Sequence, residues 1–148
     1  WLARHPDTTV LEPDPSRWKR YKETNYERYF QSDELLFPVD PLPPAEMIPA
    51  KTPCVVVFSE DERRLYPLPV VAELCASNGG SWTDTIEKES FTFHAFQDPL
   101  AVRVEHASTP EPARVIYCFW FAWYAMEPGV DVFGVARTTD ASRSRSRR

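Results

Sequence analysis

Apolar positions follow two different periods along this chain. Between residues 15 and 30, Trp18, Tyr21 and Tyr29, with Tyr26 and Phe30 on an adjoining stripe, recur at helical spacing. Lys19, Arg20, Lys22, Glu23, Glu27 and Arg28 fill the positions between them, so the pattern predicts an amphipathic helix with an aromatic face. Asp14-Pro15 marks its start: an aspartate caps the first free N–H groups, and proline at the next position loses no bond by lacking its own N–H.

From residue 54 the period shortens. Cys54 to Phe58 is a continuous β-branched run of the kind found in buried strands, and Ser59 to Arg64 reads as a charged turn. Pro67 to Ser77, halted by Asn78-Gly79-Gly80, predicts a short helix with glycine available for its C-terminal cap. Four strand-like runs follow, at Trp82 to Glu87, Phe91 to Phe96, Leu100 to His106 and Arg114 to Ala125. Leu100, Val102 and Val104 alternate with Ala101, Arg103 and Glu105, the signature of a sheet with one wet face. Asp98-Pro99 and the turn at 109–112 connect the runs, and an antiparallel meander is the simplest topology. In the run 114–125 both alternating faces are apolar, which predicts a strand covered on both sides. Val130 to Val135 reads as a final short strand.

Between these regimes lie Pro38, Pro41, Pro43, Pro44, Pro49 and Pro53, which exclude regular helix and central strand from residues 37 to 53. Phe37, Val39, Leu42, Met47 and Ile48 make that segment too apolar for a solvated linker, so it is expected to lie against the body or a partner. The resulting picture is an α+β fold: an N-terminal amphipathic helix and a Pro-rich extended arm, then a mainly antiparallel sheet with one further short helix. The expected organisation is residues 1–53 for helix and arm, 54–137 for the globular domain and 138–148 for a basic Arg-Ser tail.

Composition sharpens this. At 148 residues and 43% hydrophobic content the chain suits one packed domain, and only four glycines argue against a phosphate-cradling loop. The longest apolar run, from Val115 to Met126, is far short of the ~20 residues a membrane-spanning helix requires. The net charge of −5 conceals an asymmetry, because residues 137–148 hold five Arg against one Asp and leave −9 for residues 1–136. An acidic body disfavours nucleic acid as a partner, although the Arg-Ser tail keeps an RNA-binding module as one alternative.

Candidate chemistry is sparse. No Ser sits in a G-x-S-x-G pattern, and Glu60, Asp61 and Glu62 before Arg63-Arg64 read as a solvated turn. Cys54, Cys75 and Cys118 have no C-x-x-C spacing and are expected to be buried thiols, so no cofactor or metal site is predicted. A small enzyme or zinc site would have to draw on Cys75 or Cys118 with His94 or His106.

Glu73-Leu74-Cys75, then Gly80 and Trp82, then FTFHAF and RVIYCFW, loosely resembles the C-terminal part of exosortase-associated periplasmic proteins over about a third of the chain. It departs from their pattern by lacking a His shortly before the Cys and by placing Ser81 between Gly and Trp. The resemblance implies a periplasmic protein as a further alternative.

The leading expectation is a non-catalytic accessory subunit that meets other protein subunits of a larger assembly. Its expected contact residues are Trp18, Tyr21, Phe37, Leu42, Ile48 and Trp120, with Arg143, Arg145 and Arg147 in the tail. The start at Trp1 in place of Met is consistent with a processed mitochondrial subunit, and a respiratory complex is the expected setting.

Overall fold

A computed structural model describes residues 3–9, 11–20, 27–109 and 111–135. The fold is α+β, with three α-helices and two mostly antiparallel sheets of four and three strands among the described residues. The chain divides into two compact units, Trp1–Glu34 and Leu35–Arg148. The Pro-rich segment therefore belongs to the same unit as the sheets.

In the first unit the Asp14-Pro15 signal works as expected. Asp14 Oδ1 accepts a 2.9 Å bond from the Ser16 backbone N–H, and a 3-10 helix runs over Pro15–Arg20. Helix α1 spans Glu27–Gln31. Tyr21 and Tyr26 lie outside the described residues, so the expected continuous helix is seen as these two pieces.

The second unit is built around a central wall. Strands β1 (Pro53–Phe58) and β2 (Arg63–Pro67) form an antiparallel hairpin; β6 (Val115–Phe119) pairs with the outer side of β1, and β7 (Asp131–Val132) runs parallel to β2. The second sheet is the meander β3 (Ser81–Ile86), β4 (Glu89–Gln97) and β5 (Leu100–His106). Helix α2 (Leu68–Ser77) follows β2 and ends at Asn78, with Gly79 and Gly80 at φ 76° and 107°. Those left-handed angles are why glycine occupies both positions.

Alternation along β1 feeds two cores. Val55 and Val57 join Tyr66, Val71, Phe91 and Phe93 on one face, against α2 and the meander. Cys54 and Val56 join Leu65, Trp120, Trp123 and Val132 on the other. Residues two apart share a face, so a strand that is dry throughout must have cover on both sides.

Three expectations are corrected. The run 114–125 is not one strand: β6 ends at Phe119, and α3 (Trp120–Met126) continues the chain. A wholly apolar run fits a period of 2 and a period of 3.6 equally well, and here helical spacing places Trp120, Trp123 and Tyr124 together on the second core. The meander does not extend to residues 114–125 either, because β6 pairs with β1 in the other sheet. Finally, the charged turn ends at Glu62, and Arg63 and Arg64 open a strand whose next residues, Leu65 and Tyr66, are buried one in each core.

The sheets are also tied by polar contacts. Arg64 donates to Asp131 Oδ2 at 2.7 Å within its own sheet and to Asp84 Oδ2 on β3 at 3.0 Å. The hydroxyl of buried Tyr66 donates to the same Asp84 oxygen at 2.8 Å. Burial, then the bond to Asp84, pushes the Tyr66 hydroxyl well above its ordinary pKa. Around it the rings of Trp82, Phe93 and Phe133 lie with centroids 4.7–6.2 Å from that of Tyr66.

Asp84→Ala, which leaves the Tyr66 hydroxyl without its acceptor, is expected to cost about 1–3 kcal/mol in urea unfolding, and Asp84→Asn less, because it keeps an acceptor oxygen. The indole N–H groups of Trp120 and Trp123 are buried without an acceptor among the described residues. Trp120→Ala should therefore cost about 3–5 kcal/mol through its cavity, whereas Trp120→Phe removes an unpaired donor and should cost less than half as much. Equal losses for the two Trp120 variants would contradict the packing described here.

Candidate functional site

The residues expected to meet partners separate into three groups. Ile48 and Trp120 come together inside the second core, where Trp120 is fully buried and Ile48 packs against the same cluster, so Trp120 is a packing residue and not a surface contact. Phe37 and Leu42 stand in solvent at 76% and 59% exposure, and Trp18, in the first unit, at 61%. Tyr21, Arg143, Arg145 and Arg147 lie outside the described residues.

The Pro-rich segment is thus anchored at one end and open at the other. Met47 and Ile48 pack against the second core, and Thr52 O and Ala50 O accept backbone bonds of 3.0 and 2.9 Å from Trp120 and Phe121. Leu36, Phe37 and Leu42 project outward before that anchor. On β6, at the end of its sheet, Ile116 and Tyr117 are about half exposed, as is Phe96 near the end of β4, while Met126 at the end of α3 is exposed further. Leu36, Phe96, Ile116, Tyr117 and Met126 were not singled out in the sequence. Period-two reading predicted cover on both faces of 115–125, whereas at the sheet edge Ile116 and Tyr117, on opposite faces of β6, are both left partly open.

Polar groups gather elsewhere. A shallow cleft of about 240 Å³ is lined by Thr92, Glu105, His106, Ala107, Ser108 and Thr109. Beside it Glu105 receives His94 Nε2 at 3.2 Å on one oxygen and Arg103 at 3.2 Å on the other. His106 Nδ1 lies 3.8 Å from Glu89, whose other oxygen accepts the Glu60 backbone N–H. Each imidazole therefore faces a carboxylate. Among the described residues neither is seen hydrogen bonded to a thiol or hydroxyl, which is the contact that would activate a nucleophile. Among the described residues no group of three or more His, Cys, Asp or Glu is placed to hold a metal ion.

The thiols are apart from these histidines. Cys75 is buried on α2 and donates to Phe93 O at 3.3 Å. Burial raises its pKa. Cys54 is buried on β1, and desolvation together with nearby Cys118 pushes it up to about 12; Cys118 is half-buried and is pushed by burial to about 11. A catalytic nucleophilic cysteine has its pKa lowered by a cation or a helix N-terminus, and none of these three thiols is activated in that way.

The fold is an α+β body with an anchored, outward-facing Pro-rich segment. The family model described as "Protein of unknown function (DUF3179)" matches residues 1–87, more than half of the chain, and the chain belongs to that family. No curated protein and no solved structure shows a significant match. The matched region carries the Pro-rich segment, the central hairpin, α2 and β3. No described helix is long and apolar enough to cross a membrane.

Because the folded pKa of Cys54 lies above its ordinary 9.0, the group's contribution to stability is complete below pH 9 and is lost as pH rises toward 12, the unfolded chain ionising first. Cys54→Ser, which keeps a donor for Thr52 O, should flatten the alkaline fall in unfolding free energy by on the order of 1 kcal/mol per pH unit. Urea titrations at stepped pH measure this directly. Parallel profiles for the two chains would show that the Cys54 thiol is not desolvated.

Proposed function

We propose that this chain is a non-catalytic binding module, an accessory part of a larger protein assembly that meets its neighbours through apolar side chains held out by the Pro-rich segment. The observation that carries the reading is the contrast within one stretch. Met47 and Ile48 are packed, while Leu36, Phe37 and Leu42, a few residues away, are 59–76% exposed. Prolines limit the conformations open to such a segment, so little further entropy is lost when it docks.

The chemistry of the molecule supports the same direction. The thiols of Cys54, Cys75 and Cys118 have raised pKa values, His94 and His106 face carboxylates, and the cleft lined by Glu105 and His106 is shallow. Deep apolar enclosure with convergent polar groups is the usual form of a small-molecule site, and this cleft lacks it. The reading takes exposed Trp18, on the 3-10 helix Pro15–Arg20, as a second contact element. It assigns the Arg-rich end, which is opposite in sign to the −9 carried by residues 1–136, to an acidic neighbour.

A photo-crosslinking residue at position 37 or 42, introduced into the full chain in its native host, is expected to capture one discrete partner, whereas the same residue at exposed Glu60 should not. The double variant Phe37→Glu and Leu42→Glu should weaken association with that partner at least about tenfold, since each buried side chain contributes on the order of 1–2 kcal/mol, and should leave the unfolding midpoint unchanged. A chain that runs as a monomer in native extracts and crosslinks equally from positions 37, 42 and 60 would refute the assignment.

A further inference from the structure

Cys54 and Cys118 are 64 positions apart in sequence and face each other directly across β1 and β6. Their place in the ladder can be read from neighbouring bonds. Trp120 N–H donates to Thr52 O at 3.0 Å and Phe58 N–H to Arg114 O at 3.1 Å, and these two pairs continue the β1–β6 register by one step at either end. Hydrogen-bonded pairs recur every second residue, which puts Cys54 opposite Cys118 in the same class, with Cα atoms about 5.5 Å apart. That separation falls within the range of about 4.4–6.8 Å spanned by disulfides. Residues directly opposite in a sheet project from the same face, and both cysteines pack in the second core.

We propose that Cys54 and Cys118 form a redox-active dithiol that a disulfide-bearing oxidant converts to a cross-strand disulfide, stapling edge strand β6 to central strand β1. The two sulfurs differ in access: Cys54 is 1% exposed, whereas Cys118 is half-buried on a strand that, among the described residues, stands at the edge of its sheet. Cys118 is therefore the entry point. Its thiolate attacks one sulfur of the oxidant, forming a mixed disulfide and releasing one thiol. The Cys54 thiolate then attacks Cys118 sulfur, forming the internal bond and releasing the second thiol. Both cysteine protons leave on the two released thiols, so the chain loses two hydrogens and the oxidant is reduced by two electrons. Forming the bond gives up the 3.3 Å contact from Cys54 Sγ to Thr52 O, which keeps its stronger bond from Trp120 N–H. The raised pKa values of both thiols keep the thiolate fraction low and make the exchange slow. Cys75, buried on α2 in the other core, takes no part.

The test uses the full, unmodified chain, shown by circular dichroism to remain folded, incubated with oxidised glutathione at about pH 8.5, near the pKa of a free thiol. Acid quenching, alkylation and peptide mapping should find one internal disulfide, between the peptides of Cys54 and Cys118, with Cys75 alkylated. Cys54→Ser should stop at a glutathione adduct on Cys118, and Cys118→Ser should leave Cys54 unmodified for far longer than in the unmodified chain. A disulfide containing Cys75, or complete alkylation of Cys54 and Cys118 after prolonged oxidation of the folded chain, would overturn the proposal.

Discussion

The structure depends on burying strand β1 on both faces at once. Cys54, Val55, Val56 and Val57 are each at most 1% exposed, and successive side chains go to opposite cores. Register is fixed by this: a slip of one residue would exchange the two sets, bringing Cys54 and Val56 against the aromatic cluster of Tyr66, Phe91 and Phe93. Neither flanking layer is self-sufficient. The three-stranded meander has one apolar face, and α3 has seven residues, too few for a stable isolated helix. Each acquires its place by covering one side of the same wall.

Polar interactions refine that arrangement. Asp84 serves Tyr66 and Arg64 with a single oxygen, joining the end of the meander to the central hairpin, and Asp131 holds the other side of the guanidinium. A partly buried arginine with two carboxylate partners fixes orientation more than it adds net stability, because desolvating the charges offsets much of the attraction. The Arg63 to Glu127 pair, by contrast, lies at the surface and adds little beyond local order.

The functional reading follows from what the two cores leave over. Apolar side chains that neither core absorbs lie on the Pro-rich segment, at the sheet edge and at the end of α3, while His94 and His106 face carboxylates and the three thiols are desolvated. A surface of this kind is suited to contact with proteins. The cysteine pair adds a covalent element next to that surface, since Ile116 and Tyr117 precede Cys118 on the edge strand. Membership of a family whose model covers the Pro-rich segment and the hairpin ties the anchored segment to the family's shared part of the chain.

Local chemistry was legible without coordinates. The Asp14-Pro15 start, the helix stop at Asn78-Gly79-Gly80, the buried β1 run and the alternating β5 run all rest on residues whose conformational preferences act within a few positions. The excess of apolar residues in 37–53 was equally plain, but its division into packed Met47 and Ile48 and exposed Phe37 and Leu42 was not. Segment 115–125 could not be divided by pattern, because a run that is apolar on every face carries no period. Only the space beside the central wall decided that its first half pairs with β1 and its second half coils so that Trp120 and Trp123 fill the second core. The same is true of Cys54 and Cys118: sequence supplies two thiols 64 positions apart, and strand pairing, which is a property of the folded chain and not of either neighbourhood, sets them face to face.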